Sequence, residues 1–279
     1  MNIIADIRKA ISPPYPRHEA EAIARIVVED VFGVTLLDCL SNNVILSPIQ
    51  QRQMEDIIAR LQQGEPIQYI IGETTFCGHQ FQVTPAVLIP RPETEDMISL
   101  ILNDITDPSC ELSVCDAGTG SGCIAISLQK ALPQSHVSAL DISREALEVA
   151  QGNAVRNQAA IHFTQADILD IGTLPQGPWD LIVSNPPYVT NCEKAEMAVH
   201  VKCHEPSKAL FVPDDNALVF YTALARWAHK TLSPQGTIYC ELNSILAAET
   251  EQVFRHEGFT HTSLHLDRYN NYRFIRCKR

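Results

Sequence analysis

Long apolar runs are missing from this 279-residue chain. None reaches the ~18 residues that a membrane-spanning helix requires, which excludes a helical membrane anchor among the residues read. The opening Met1-Asn2-Ile3-Ile4-Ala5-Asp6-Ile7-Arg8 lacks the basic region and apolar core of a signal peptide, so no secretory leader is expected. Basic residues are scarce as well. There are 21 Lys and Arg against 33 Asp and Glu, a net charge of −12. Residues 1–70 carry nine acids and six bases, and residues 71–279 carry 24 acids and 15 bases. Neither part offers a basic platform for phosphates, which argues against nucleic acid as a direct substrate. The nine cysteines are odd in number and follow no pairing rhythm. That excludes a disulfide scaffold and implies a reducing, cytoplasmic setting. Metal ligands are short too. Cys77-Gly78-His79 supplies two, and His200, Cys203 and His204 supply three with no clear fourth, where zinc takes four or three plus water. No metal is expected. Internal repeats and low-complexity segments are absent.

What is present is an ordinary globular composition, 45% apolar and 19% charged, and length enough for two domains. The stretch from His18 to Phe32 places Ala20, Ile23, Ala24, Val27 and Val31 at helical spacing. Ser47-Pro48 reads as an N-cap with proline at the first helical position. Ile49, Met54, Ile57, Ile58 and Leu61 continue that helix, and Gly64 closes it. Residues 1–73 are therefore expected to form a small helical domain. Over 74–91, Phe76, Phe81, Val83, Val87 and Ile89 with Gly78 and Pro85 predict a β-hairpin linker. Residues 92–279 begin with a helix to about Ile105. Strands then follow near 112–116, 137–141, 161–165, 179–184, 236–242, 262–266 and 273–277. Helices are expected near 122–132, 144–156, 216–232 and 246–257. This alternation predicts an α/β fold, a Rossmann-like seven-stranded and mostly parallel sheet covered on both faces. The last two strands, with no helix between them, should pair antiparallel.

Asp116-Ala117-Gly118-Thr119-Gly120-Ser121-Gly122 follows the first strand of that sheet and opens a helix. Glycines at 118, 120 and 122 allow backbone to approach a ligand closely. Asp141 ends the next strand, placed to accept hydrogen bonds from ribose hydroxyls. Asp167 ends the third, where it could read an exocyclic amine with Ile168 packed on the ring. A nicotinamide or flavin dinucleotide is the obvious rival, but its fingerprint spaces the glycines G-x-G-x-x-G. Here the spacing is G-x-G-x-G, and the leading carboxylate of Asp116 suits a cationic sulfonium and amino group better than a pyrophosphate. A plain βα turn is the bland alternative.

The fourth strand ends in Asn185-Pro186-Pro187-Tyr188. Proline fixes φ near −65°, and the residue before each proline is pushed out of the α region. An Asn amide oxygen and a proline carbonyl can then face the same way beside an aromatic ring, forming a receptor for a planar –NH2 group. The same peptide could simply be a proline-rich turn.

Together, the glycine loop, Asp141 and the Asn-Pro-Pro-Tyr tetrad resemble a class I S-adenosylmethionine-dependent methyltransferase acting on a planar amine. Adding Gly64-Glu65-Pro66-Ile67-Gln68-Tyr69-Ile70-Ile71-Gly72 and Leu88-Ile89-Pro90-Arg91-Pro92-Glu93-Thr94-Glu95, the whole chain resembles the HemK/PrmC-type protein-(glutamine-N5) methyltransferases. The resemblance implies S-adenosyl-L-methionine as cofactor and peptide chain release factors as protein substrates, methylated on the glutamine of their Gly-Gly-Gln loop. It implies that Asp116, Gly118, Thr119, Gly120, Ser121, Gly122, Asp141, Asp167, Ile168 and Asn185 hold the cofactor. Asn185, Pro186, Pro187 and Tyr188 would take the substrate, with Asn185, Pro186 and Tyr188 catalytic. The helical domain would dock the substrate. Two segments depart from the family pattern. Glu205-Pro206 is followed by a glycine-free stretch over 211–218, and Asn270-Asn271-Tyr272-Arg273 stands where an acid usually precedes the Asn. An N6-adenine DNA or RNA methyltransferase uses the same tetrad but must take the base out of its stack, which the acidic charge disfavours. A ribosomal-protein glutamine methyltransferase and a non-catalytic cofactor sensor are further alternatives.

Overall fold

The computed structural model describes residues 3–12, 15–40, 44–195, 197 and 199–279. The chain divides into two compact units, Met1–Gly72 with Ala198–His204, and Glu73–Met197 with Glu205–Arg279.

The first unit is helical: α1 Ile3–Ile11, α2 Arg17–Ile26, α3 Leu36–Leu40, α4 Pro48–Gln62, α5 Ile67–Ile71 and, from later in the chain, α9 Val199–His204. Its core gathers Ile7, Ile11, Ala20, Ala24, Val27, Val28, Ile57 and Leu61. The start of α4 is a full capping box. Ser47 Oγ accepts from the Gln50 N–H at 3.3 Å, and Gln50 Oε1 accepts from the Ser47 N–H at 3.0 Å, which satisfies two otherwise orphaned donors. The expected single helix from His18 to Phe32 is different in detail. It is α-helical only to Ile26 and widens into a π-helical turn over Val27–Val31. Val27 and Val28 lie in that turn and are both fully buried.

The second unit begins with the hairpin β1 Glu73–Phe76 and β2 His79–Gln82, followed by α6 Pro92–Asp104. Its sheet contains β3 Ser113–Ala117, β4 His136–Asp141, β5 Ile161–Gln165, β6 Trp179–Ser184, β9 Leu232–Glu241, β10 His261–Leu266 and β11 Tyr272–Lys278. A small separate pair is made by β7 Val189–Thr190 and β8 Phe211–Val212. Helices α7 Cys123–Ala131, α8 Arg144–Arg156, α10 Ser207–Leu210, α11 Val219–Thr231 and α12 Ala247–His256 complete it.

The seven strands run in the order β10-β11-β9-β6-β3-β4-β5. The five from β9 to β5 pair in parallel, and β11 is antiparallel to both of its neighbours. Side chains alternate between two buried faces. Cys115, Ile182, Ile238 and Cys240 pack with Tyr221, Leu224, Trp227 and Phe254 on one. Val114, Leu181, Val183 and Tyr239 pack with Met97, Ile101, Ile124, Phe76 and Phe81 on the other. Burial on both faces is why these strands read as continuous apolar runs. The order reverses at β3: β4 and β5 extend to one side, and β6 returns to the other. This topological switch point lies between β3 and β6, where open α/β sheets bind ligands at their carboxyl ends.

The two departures from the family pattern have local explanations. The stretch after Glu205-Pro206 pairs β8 with β7, and Asp214 Oδ1 accepts from the Cys192 N–H at 3.0 Å, so it is pinned without needing glycine. Asn270 sits in the left-handed region at φ 62, which Asn tolerates better than most residues. Beside it, Asp267 accepts backbone N–H bonds from Tyr269 and Asn271.

The hairpin belongs to the second unit and is fastened to it by one buried side chain. Asn153 of α8 is fully buried. Its Oδ1 accepts from the Gln82 N–H at 2.6 Å, and its Nδ2 donates to Gln82 O and Ser121 O, each at 2.9 Å. Asn153→Ala would strand three backbone groups, and chemical denaturation should show a loss of about 1–3 kcal/mol. A change below about 0.5 kcal/mol, typical of an uninvolved surface position, would contradict this role.

Candidate active site

The carboxyl ends of β3, β4, β5 and β6 open onto a cavity of about 560 Å³, well within the ~300–1,000 Å³ of small-molecule sites. Gly118, Thr119, Gly120, Ser121, Asp141, Asp167, Ile168, Asn185 and Pro187 all line it. Reach between these elements follows from backbone bonds. Gly118 and Thr119 N–H groups donate to Leu140 O at 2.8 and 2.9 Å, so the glycine loop folds over the end of β4. Gly122 precedes α7 in the left-handed region at φ 82, and a Cβ there would stand 3.1 Å from Ile126 Cδ1 and 3.2 Å from Ala150 Cβ. Only glycine meets both conditions without strain.

Asp141 holds the loop from the side. Its Oδ2 accepts from the Gly120 N–H and its Oδ1 from the Ser143 N–H, both at 2.9 Å. Burial pushes its carboxyl up, while these backbone bonds pull it down. Of about four lone-pair sites on a carboxylate, three go to backbone amides, that of Ile142 included, which leaves capacity for a ribose hydroxyl. Asp167 Oδ1 accepts from the Leu169 N–H at 2.8 Å, and Ile168 packs beneath Gly118.

Three of the expected site residues stand off the cavity wall. Asp116 was expected to face the cofactor, but it does not line the cavity. It is fully buried, with Oδ2 accepting from Thr119 Oγ1 at 2.6 Å and from the Ala125 N–H at 3.1 Å. A carboxylate at the N-terminus of α7 satisfies an orphaned amide there, and that need turns it inward. Burial pushes its carboxyl up to about 7 despite these bonds. Pro186 is buried and absent from the cavity wall. Tyr188 is absent from it too. Its ring packs against the core of the α11 side, and its hydroxyl donates inward to Glu241 Oε1 at 3.0 Å. Tyr188 anchors the turn from behind.

Other residues carry no assigned role in the sequence reading. Thr94, at the start of α6, lines the cavity and touches Asn185, whose Nδ2 donates to Thr94 Oγ1 at 3.4 Å. Glu241 is buried, accepts from Thr94 Oγ1 at 2.7 Å, and is pushed up by burial against its hydrogen bonds and the nearby Arg273 guanidinium. Its signal was an acid ending the apolar Ile238-Tyr239-Cys240-Glu241-Leu242 run, since acids are almost never fully buried without a partner. Arg91 also lines the cavity and pairs with the buried Glu205 at 2.5 Å. Among the described residues no three His, Cys, Asp or Glu side chains come together as a metal set. The side chain of His200 lies outside the described residues.

Two family models match. A PrmC N-terminal domain covers residues 14–72, and a methyltransferase small domain covers 94–219. A release factor glutamine methyltransferase of Bacteroides thetaiotaomicron is 45% identical over 242 residues, 86% of this chain and 86% of that one. The chain belongs to the release factor glutamine methyltransferase family. A second member, from Flavobacterium psychrophilum, is 41% identical over 271 residues, covering 96% and 95%. The fold also matches a solved T. thermophilus 16S rRNA methyltransferase in complex with AdoMet and guanosine, with TM-score 0.55 and 17% identity over 74% of this chain and 50% of that one.

Family membership makes S-adenosylmethionine the methyl donor, and the residues present fit it. The cavity has suitable volume, the buried Ser121 hydroxyl on its wall has no oxygen or nitrogen partner among the described residues, and Asp141 offers acceptor capacity at the rim. Asp141→Ala should weaken S-adenosylhomocysteine binding by about 10–100-fold, the weight of charge-assisted hydrogen bonds. Unchanged affinity in calorimetry would remove Asp141 from the cofactor site.

Proposed function

We propose that this family member transfers the methyl group of S-adenosylmethionine to the side-chain amide nitrogen of the glutamine in the Gly-Gly-Gln motif of peptide chain release factors, supporting translation termination. The observation that carries the reading is Asn185, set on the cavity wall at the switch point beside the glycine loop, in a chain 45% identical to a release factor glutamine methyltransferase.

When bound, S-adenosylmethionine supplies an electrophilic methyl group on a sulfonium. The chain's own task is to present an amide nitrogen whose lone pair is delocalised into its carbonyl. Removing an amide proton beforehand is too costly for a side chain near neutral pH, so no general base is assigned. Asn185 Oδ1, on the cavity wall, accepts one amide hydrogen, and the family resemblance assigns the other to the carbonyl of Pro186, which is itself buried off that wall. These bonds strengthen as the nitrogen gains positive charge, which is electrostatic preorganisation. Holding the nitrogen in line with the methyl group supplies much of the remaining acceleration. Proton loss then follows transfer.

The helical unit over 1–72 is the candidate docking surface for the protein substrate. Nucleic acid is not the direct substrate in this reading, which the net charge of −12 supports. The nine free cysteines support a cytoplasmic setting. No helix among the described residues is long and apolar enough to cross a membrane.

A labelled-methyl transfer assay with release factor, ribosomal protein and DNA in parallel tests the reading, with release factor expected to be the substrate. Preferential labelling of either other substrate would replace it. Asn185→Ala should lower kcat by about 10²–10³-fold while leaving cofactor affinity largely intact. Near-normal turnover in the folded variant would refute the role of Asn185.

A further inference from the structure

Glu241 ends β9 behind the Asn185 turn and uses one carboxylate oxygen on that turn and the other on α6. Oε1 accepts from the Tyr188 hydroxyl at 3.0 Å, and Oε2 accepts from Thr94 Oγ1 at 2.7 Å. A threonine hydroxyl has one proton to give. With that proton held in the shorter bond to a carboxylate, Thr94 Oγ1 offers only lone pairs to Asn185. It can therefore meet the amide nitrogen of Asn185 and not the amide oxygen, and Nδ2 is what lies 3.4 Å away. The opposite amide orientation would bring two acceptors together. Thr94 and Asn185 both line the cavity, whereas Glu241 does not.

We infer that Glu241 is a positioning residue which, through Thr94, fixes the Asn185 amide so that Oδ1 is free to serve as the acceptor. This deepens the glutamine reading and rests on it. The carboxylate sets polarity as well as place. Three linked groups pass its acceptor character along: carboxylate, hydroxyl, amide. The end that remains for the substrate must then be an acceptor, the match for an –NH2 group and a mismatch for a carboxylate. Selection of glutamine over glutamate would thus originate one residue behind the cavity wall. By also holding Tyr188, the same acid fixes the turn at its first and last members.

Exchanging Glu241 for Gln alters this without changing size. The new amide can donate to Thr94 Oγ1, releasing the threonine proton toward Asn185 Oδ1 and turning the Asn185 amide around. Thr94→Val cuts the relay while filling the same space, and Thr94→Ser restores it. The test uses the full chain, with methyl-transfer kinetics on release factor, calorimetry with S-adenosylhomocysteine, and competition by Gly-Gly-Gln and Gly-Gly-Glu peptides. Thr94→Val and Glu241→Gln should each lower kcat by roughly 10–100-fold, as small misplacements of reacting groups do, with cofactor affinity unchanged. Thr94→Ser should recover most of that loss. In Glu241→Gln the preference for the glutamine peptide should narrow by about tenfold. Equal kcat in Thr94→Val and wild type, or equal impairment in Thr94→Val and Thr94→Ser, overturns the relay. Should the wild type not methylate release factor, the glutamine reading fails by itself. The relay is then judged by NMR of the Asn185 side-chain amide, assigned by its loss in Asn185→Ala. Its resonance should shift in Thr94→Val and return in Thr94→Ser, and an unmoved resonance in Thr94→Val counts against the relay.

Discussion

The site depends on one register. β3 and β6 pair in parallel so that Ala117 stands opposite Ser184, and the Ser184 hydroxyl closes the end of the pair by donating to Ala117 O at 2.6 Å. The next residues are Gly118 on one strand and Asn185 on the other. The glycine loop and the Asn-Pro-Pro-Tyr turn therefore leave the sheet side by side, one strand spacing apart, roughly 4.8 Å. A slip of one residue would send every side chain of β6 to the opposite face and would separate the two loops' first residues. Burial on both faces holds the register against such a slip.

Three acids meet at this end of the sheet, and each does different work. Asp116 is turned under the loop and serves the first turn of α7. Asp141 stays at the rim and ties loop to strand while keeping acceptor capacity. Glu241 lies behind the turn and is fully committed to hydroxyl partners. Burial raises all three, so each is held against a desolvation cost that its hydrogen bonds must offset. Spacing in sequence could not assign these roles, because all three acids end or nearly end a strand.

Much of the fold was legible because its signals are local. Strand–helix alternation, the glycine loop and the antiparallel last pair follow from periodicity and turn chemistry. The hairpin was visible in Phe76, Phe81 and Gly78. The cavity lining was legible where turn chemistry or an acid marks a strand end, as with the glycine loop, Asp141 and Asn185 before two prolines. What remained hidden depends on contacts between distant segments. Thr94 and Glu241 are 147 positions apart, and nothing in the sequence near either one says that they meet. The orientation of Tyr188 depended on that same distant acid. The π-helical turn at Val27–Val31 was hidden for another reason: an α-helical stripe and a slightly wider one look alike over so few residues.

Asn153 joins Gln82 of the hairpin to Ser121 of the glycine loop, and the hairpin runs on into Ala86, Val87 and Leu88 of the cavity wall. The hairpin is therefore mechanically part of the cavity wall, although it reads as a linker. Ligand binding to the folded cavity adds its free energy to every element that must be in place first. A bound cofactor should thus slow backbone hydrogen exchange in β1 and β2 as well as in the glycine loop. For anyone exchanging segments between relatives, the hairpin travels with the sheet and not with the helices that precede it.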